Sequence, residues 1–294
     1  MGDTLRHLIH IGYAKAGTHF VLRWFASHPQ IHLIRDRTVA AADAARQVEE
    51  SGLPGCRWTA ISSEEFASPL GVFGAGLPLA QAEICNQLAA RLPEAHILLL
   101  TRGFRSVLVS GYSQYVKSGG DQDFYVFRDI DPRELEHAAH AWDYNYLVQI
   151  YRQAFGGRVV ALPYELLRDE PTAFVRQLEE RLEVGACEVA LDRLNPALKP
   201  YELRWYPRIT RALRRVGGRF GTGERLAEWH LSRMGSKPWR FLARGLQLLI
   251  PAKPVTEALI AERDVEFFRG RADVFRDDPA YTAYHAEYLI PADR

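Results

Sequence analysis

Residues 7–29, HLIHIGYAKAGTHFVLRWFASHP, decide the fold that the rest of the chain completes. They begin with a short apolar run, pass through a loop of small residues from Gly12 to His19, and continue as an amphipathic run from Phe20 to Ser27. A strand, a small-residue loop and a helix in this order present backbone N–H groups and a helix N-terminus to an anion. The stretch therefore predicts an anion site between a first strand and a first helix.

Lys15 lies between the two glycines of this loop, which is an unusual position for a lysine in a loop with this glycine spacing. Gly12 and Gly17 stand as far apart as the glycines of a nucleotide P-loop, but Thr18 and His19 follow Gly17 where that loop has lysine and then serine or threonine. A lysine within the loop can contact the bridging oxygen of a leaving group, where charge develops in the transition state. The alternative is an ordinary strand-to-helix turn with a solvated lysine.

Apolar runs alternate with helical patterns over the first two thirds of the chain. His96–Thr101 is a continuous apolar run that predicts a strand buried on both faces, and Leu79–Leu92 and Pro132–Phe155 are predicted helices. We therefore expect an α/β fold with a mostly parallel sheet and helices on both faces. Residues 1–200 are expected to form the core, and residues 201–294 a helical extension packed on the same domain. The extension is expected to serve as a lid or as an acceptor or membrane-surface region.

Length and composition restrict the class of protein. The chain has 294 residues, 37 basic and 36 acidic side chains, and no apolar stretch of the roughly 20 residues that span a bilayer. The N-terminus does not have the pattern of a signal peptide. Cys56, Cys85 and Cys187 are few and scattered, which indicates free thiols and a cytoplasmic location. No spacing of cysteine or histidine typical of a metal site is present, so no metal is expected.

A basic and aromatic stretch runs from Arg204 to Arg244. It contains eleven arginine or lysine residues against Glu224 and Glu228 alone. Three interpretations stay open: a solvated helical face, an acceptor site for an anionic glycan, or a surface that rests on anionic lipid. A nucleic-acid site ranks last, because the chain has no recognised nucleic-acid module. Its aromatic members are Trp205, Tyr206, Phe220, Trp229, Trp239 and Phe241.

A second constellation is RGFRSVLVSGY, residues 102–112. Arg102 follows a predicted buried strand, at the edge where open α/β sheets bind ligands. Ser110 is about two helical turns further on and shares a helix face with Ser106. An arginine and a serine so placed can hold one phosphate by a forked charge-assisted contact and a hydroxyl. The alternative is an arginine that caps the sheet edge and a serine in a helix interior.

Together the two segments resemble the sulfotransferase family that uses 3′-phosphoadenosine-5′-phosphosulfate (PAPS). Lys15, Gly17 and Thr18 match that family's first motif, and Arg102, Ser110 and Tyr112 match its second in order and spacing, by a comparison that spans residues 7–183. VVALPYELLRDEP, residues 159–171, is a weaker third match. The sequence departs from the family at Tyr13-Ala14, Ala16, His19 and Gly103-Phe104, which removes two hydroxyl donors from the first motif.

The resemblance implies a P-loop-like sulfotransferase fold and in-line transfer of a sulfuryl group from PAPS to an acceptor hydroxyl. The acceptor is expected to be a carbohydrate or a glycolipid. Lys15 is expected to stabilise the departing phosphate oxygen, and Arg102 with Ser110 to bind the 3′-phosphate. Tyr164 is expected near the adenine, with a buried core tyrosine as the alternative. The 5′ end of the donor is expected to contact Ala16, Gly17, Thr18 and His19.

The transfer also needs a base for the acceptor proton. Carbohydrate-directed members of the family often use a glutamate after the strand that follows the first motif's helix. Glu64 is the preferred candidate by this resemblance and Glu65 the next; the alternative is a carboxylate that simply favours a helix N-terminus. His19 is a weaker alternative, as are His32 and His140.

Two other functions stay open at this stage. A P-loop kinase or NTPase is disfavoured because no Lys-Ser/Thr pair follows Gly17. A nucleotide-binding protein without catalysis is motivated by the departures in the loop. If the stretch rests on anionic lipid, peripheral membrane contact is expected through residues 204–244.

Overall fold

A computed structural model gives the positions of the sheet, the helices and most connections between them. The described ranges are 6–13, 15–34, 41–51, 53, 55–69, 76–125, 142–188, 198–250 and 252–291. The chain divides into two compact units. The first comprises residues 1–104, 133–194 and 267–294, and the second comprises residues 105–132 and 195–266. The expected boundary at residue 200 stays a prediction.

Five parallel strands of the described chain form the sheet of the first unit, in the order β2-β3-β1-β4-β5. The expected α/β fold with a parallel sheet is confirmed. The chain leaves β1 toward β2 and leaves β4 toward β5, in opposite directions. A crevice is therefore expected between the carboxyl ends of these two neighbours. The strands are β1 (Arg6–Gly12), β2 (Ile31–Ile34), β3 (Trp58–Ser63), β4 (His96–Thr101) and β5 (Val159–Pro163).

Helices lie on both faces of this sheet. α1 contacts α7 through the rings of Phe20 and Phe174, whose centroids are 6.0 Å apart. α2 packs on α3, and α3 packs on α5; right-handed crossovers place this group on the face opposite α1. The α-helices of the described residues are α1 (Thr18–Ser27), α2 (Ala41–Glu50), α3 (Gly76–Arg91), α4 (Phe104–Lys117), α5 (Tyr144–Phe155), α6 (Tyr164–Asp169), α7 (Pro171–Leu182), α8 (Pro200–Gly218), α9 (Gly223–Arg233) and α10 (Lys237–Leu249).

The helix bounds follow from apolar spacing and from caps. In α1, Val21, Trp24 and Phe25 recur at helical spacing and are buried. Helix α3 begins before the expected Leu79, because Pro78 falls in its first turn, where a missing N–H costs no hydrogen bond.

Helix α5 begins later than the sequence indicated. It was expected from Pro132, but its first residue is Tyr144, and the expected start is wrong at least for residues 142–143. Asp143 is the N-cap, and its Oδ1 accepts a hydrogen bond of 3.0 Å from the N–H of Tyr146. The rest of the expected helix, before residue 142, lies outside the described residues.

The second unit contains α8, α9 and α10, with α8 packed against both of the others. The expected helical extension is confirmed for Pro200–Leu249. Further on, residues 257–284 form short 3-10 helices instead of the α-helix expected there. Gly270, with a φ of 77°, and Pro279 are residues that interrupt a regular helix. Across the described part of the chain, no helix is long and apolar enough to cross a membrane.

Within the first unit, the C-terminal segment holds the end of β4 by a chain of hydrogen bonds. Tyr281 Oη lies 2.8 Å from Thr101 Oγ1, which lies 2.9 Å from Tyr288 Oη. Tyr288 Oη donates to Glu165 Oε2 at 2.9 Å, and Glu165 Oε1 accepts from the N–H of Gly103 at 3.0 Å. All these side chains are fully buried. Consecutive hydrogen bonds in a dry interior strengthen one another, so the turn after β4 is fixed by residues distant in sequence.

Tyr288→Phe is expected to lower the free energy of unfolding by about 1–3 kcal/mol, because buried Glu165 loses a hydrogen-bond donor. The measurement is urea-induced unfolding followed by circular dichroism. Tyr284→Phe is the matched control, since the Tyr284 hydroxyl has no hydrogen bond to the described residues and its loss should change little. Equal stability of the two variants would contradict the role of the Tyr288 hydroxyl.

Candidate functional site

The loop between β1 and α1 has the tight backbone that its small residues indicated. Lys15 has a φ of 69° and Gly17 a φ of 95°. The N–H of Ala16, which is buried, donates to the carbonyl of Tyr13 at 3.1 Å and closes a turn. A side chain at Gly17 would lie 2.9 Å from Leu167 Cδ2, so this position needs glycine both for its backbone angle and for its close packing.

Thr18 begins α1 and brings an unsatisfied hydroxyl to the loop. Its side chain is 8% exposed, and its Oγ1 has no hydrogen-bond partner among the described residues. The hydroxyl fits because a side chain at Gly12 would come within 2.6 Å of it. The N–H groups of Thr18 and His19 belong to the first helical turn, which has no intrahelical partners for them. A hydroxyl and free N–H groups at a helix N-terminus can bind an anion.

His10 lies beneath the same loop. Its Nδ1 is 2.7 Å from Ser62 Oγ, and its Nε2 has no partner in the described structure. Nε2 would lie 3.3 Å from a side-chain carbon at Gly12. Burial lowers the pKa of His10 to about 3, so the ring is neutral and places no charge behind the loop. Sequence reasoning did not single out His10, because a histidine in an apolar strand is more often a structural residue.

Arg102 joins the loop to two other parts of the sheet edge. Its Nη1 donates to the backbone carbonyl of Lys15, and its guanidinium carbon lies 4.3 Å from the ring centroid of Tyr164. Its own backbone is held by Tyr144, whose hydroxyl accepts from the Arg102 N–H at 3.1 Å and donates to the Arg102 carbonyl at 2.6 Å. Residues that follow β1, β4 and β5 therefore meet at one place.

Three of the expected donor-binding residues are brought together in this way: Lys15, Arg102 and Tyr164. Gly17 joins them, because a side chain there would lie 3.2 Å from Tyr164 Cδ2. The Lys15 and His19 side chains are exposed. The Tyr164 ring therefore packs against a cation and the loop, rather than being the core tyrosine that was the alternative.

Glu165 is a site-supporting residue that sequence reasoning missed. It is fully buried, and desolvation raises the pKa of its carboxyl above the usual range. Because it accepts from the N–H of Gly103, it fixes the turn that carries Arg102. One signal was available: Glu165 follows β5 almost directly, as Arg102 follows β4.

The two candidate bases lie at the same edge of the sheet, after β3. β3 pairs with β1, and Ser63 is level with Ile11. Glu64 and Glu65 follow in a 3-10 helix capped by Ser63 Oγ, which accepts from the N–H of Glu65 at 3.2 Å. Glu64 is exposed and Glu65 half-buried. Both therefore follow the strand next to the one that carries the loop.

The other candidates are placed less closely. Ser110 is half-buried on α4, in the second unit, so its joint action with Arg102 stays a prediction. His32 is half-buried on β2. His140, like Ala14 of the loop, lies outside the described residues. Within the described chain, no cluster of three or more His, Cys, Asp or Glu side chains can hold a metal ion, and the three cysteines are free thiols.

A protein-family model matches part of the chain. The model of a family described as the sulfotransferase family matches residues 79–186, which include β4, Arg102, Ser110 and Tyr164. No curated protein matches the sequence of the chain.

Two solved structures are similar. One is a sulfotransferase from Alicyclobacillus acidocaldarius, with 18% identity, a TM-score of 0.46, and coverage of 80% of this chain and 98% of that one. The other is the sulfotransferase domain from the curacin biosynthetic pathway, with 12% identity, a TM-score of 0.42, and coverage of 63% and 76%. Over residues 79–186 the chain is therefore similar to the sulfotransferase family, and its described strands form a parallel sheet of an α/β fold.

Proposed function

We propose that the protein transfers the sulfuryl group of PAPS to an acceptor hydroxyl of a carbohydrate or a glycolipid. The observation that carries the proposal is the contact of Arg102 with the Lys15 carbonyl and the Tyr164 ring. This contact brings a basic residue at the end of β4 to the loop after β1. The lysine of that loop lies between its two glycines, whereas a nucleotide P-loop has its lysine after the second glycine.

The residues of the loop fit a donor with a phosphosulfate end. Thr18 supplies a buried hydroxyl with no partner among the described residues, at the N-terminus of α1. Gly12 leaves the space for that hydroxyl, and Gly17 gives the loop its turn. Ala16, Gly17, Thr18 and His19 would therefore hold the 5′ end through backbone N–H groups, the Thr18 hydroxyl and the helix N-terminus.

Lys15 is assigned to the leaving group. In the transfer, the acceptor oxygen forms a bond to sulfur while the bond between sulfur and the 5′-phosphate oxygen breaks. Negative charge then develops on that phosphate oxygen, where an exposed ammonium from the loop stabilises it. The products are the sulfated acceptor and 3′,5′-adenosine bisphosphate.

Arg102, Ser110 and Tyr164 are assigned to the remaining part of the donor. Arg102 provides a charged fork for the 3′-phosphate, Ser110 a hydroxyl, and Tyr164 a ring next to the adenine. The guanidinium already lies over the Tyr164 ring, which limits the orientations it can adopt.

Glu64 is proposed as the base that takes the acceptor proton, with Glu65 as the next candidate and His19 as a weaker one. The two carboxylates follow β3, the neighbour of β1, at the carboxyl edge of the sheet. A carboxylate base suits a sugar hydroxyl that is deprotonated only as the bond to sulfur forms. A cytoplasmic location is part of the proposal and is supported by the three free thiols.

Lys15→Ala is expected to lower the rate constant of sulfate transfer from labelled PAPS by about 10²–10³-fold, because one stabilising contact to the leaving group is lost. Lys253→Ala, at another exposed lysine, is the matched control and should leave the rate unchanged. Undiminished transfer by the Lys15 variant would contradict the assignment. Mg²⁺-dependent ATP turnover would favour a kinase or NTPase, and nucleotide binding with no transfer to any acceptor would favour a binding protein.

Glu64→Gln is expected to lower kcat by roughly 10²–10⁴-fold and to leave binding of 3′,5′-adenosine bisphosphate unchanged, since the amide cannot accept the proton. Glu65→Gln is the paired control and should retain most of the activity. If Glu65→Gln is the variant that loses activity, the two assignments exchange. Full activity in both would show that neither carboxylate is the base.

A further inference from the structure

Helix α10 of the second unit faces solvent with its apolar side. The outward side chains are Phe241 (79% exposed), Leu248 (76%) and Leu249 (81%), which recur at i, i+7 and i+8. Leu242, at 41%, lies beside them. An ordinary surface helix has the opposite arrangement, with its apolar stripe toward the core.

The inward side of α10 is held largely by polar contacts. Trp239 Nε1 donates to His230 Nδ1 of α9. Arg240 Nε lies 3.3 Å from a carboxylate oxygen of buried Glu202 on α8, and Gln247 Oε1 accepts from Trp205 Nε1 at 3.1 Å. These contacts fix the rotation of the helix about its axis. That rotation turns the apolar ridge of Phe241, Leu248 and Leu249 toward solvent.

Apart from half-buried Arg204, the arginines of residues 204–244 fall into two groups. Those of the first group are paired with acids inside the unit: Arg208 with Asp123, Arg214 with Glu224, and Arg240 with Glu202. Those of the second group are exposed and have no acidic partner among the described residues. With one lysine, they are Arg215, Arg219, Arg225, Arg233, Lys237 and Arg244.

Two of these free cations are on α10 itself. Lys237 and Arg244 are one helical repeat of seven residues apart, and at 100° per residue both fall on the same flank of the Phe241–Leu248 ridge. Arg233 ends α9, just before α10. The ridge is thus accompanied by positive charge and has no acidic residue within α10.

We propose that α10 docks on the surface of an anionic lipid membrane, with Phe241, Leu248 and Leu249 at the acyl boundary and Lys237 and Arg244 at the headgroups. Apolar side chains on one side of a helix with lysine or arginine beside them are the pattern of helices that lie in a membrane interface. A second copy of the chain is a poorer occupant, because a two-fold contact would bring the unpaired cations of both copies together. For residues 204–244, the sequence left open a surface that rests on anionic lipid. The proposal assigns that surface to the outward face of α10.

Co-sedimentation with lipid vesicles tests the docking. The 294-residue chain is expected to bind vesicles of phosphatidylcholine mixed with phosphatidylglycerol and to bind phosphatidylcholine alone much more weakly. Lys237→Gln with Arg244→Gln is expected to weaken partitioning about 30-fold, because each basic residue near an anionic surface contributes about fivefold. Raised salt should weaken binding of the unmodified protein in the same direction.

The ridge is tested by the triple variant Phe241→Ala, Leu248→Ala and Leu249→Ala, which keeps helix propensity and is expected to weaken binding by more than about tenfold. Leu79→Ala, at a leucine of α3 that is 74% exposed, is the matched control and should bind as the unmodified protein does. Circular dichroism checks that all variants are folded. Membrane binding does not depend on sulfuryl transfer, so its failure would leave the catalytic proposal intact.

Three results would overturn the docking. The first is no binding of the unmodified protein to anionic vesicles. The second is equal binding by the triple variant and the Leu79→Ala control. The third is a dimer in light scattering that the triple substitution dissociates, which would assign the ridge to self-association.

Discussion

The guanidinium of Arg102 is the link on which the sheet edge depends. It donates to the backbone of the loop after β1 and lies over the ring that follows β5, while its own main chain continues from β4. The carboxyl ends of parallel strands lie at the same edge of a sheet, but this alone leaves the loops that follow them free to move apart. One planar cation with several N–H donors joins three loops. A bound phosphate would accept hydrogen bonds from the same guanidinium, either in place of its present partners or in addition to them.

That link is supported from behind by residues far along the chain. Tyr144 holds the Arg102 main chain on both sides, and Glu165 holds the next peptide through Gly103. Tyr288 holds Glu165 in turn. The C-terminal segment, which reads as an acidic and aromatic tail, is therefore part of the structure that positions the proposed donor site.

The fold and part of the candidate site could be predicted from the sequence because both depend on local patterns. The run His96–Thr101 reads as a buried strand without any knowledge of its neighbours, and the position of Lys15 between two glycines is visible at once. Glu165 could not be assigned its role in the same way, since its partners Gly103 and Tyr288 come from distant segments. The outward face of α10 could not be predicted from the sequence either. The basic and aromatic residues were evident, but the hydrogen bonds that set the rotation of α10 about its axis arise from packing.

The central claim is that the loop around Lys15 and the side chain of Arg102 bind the two ends of one nucleotide. A crystal structure with 3′,5′-adenosine bisphosphate tests it most directly. The account predicts the 5′-phosphate at the N-terminus of α1, within hydrogen-bond distance of Lys15 and Thr18, and the 3′-phosphate on Arg102. A nucleotide bound elsewhere, or one whose phosphates contact neither Lys15 nor Arg102, would contradict it.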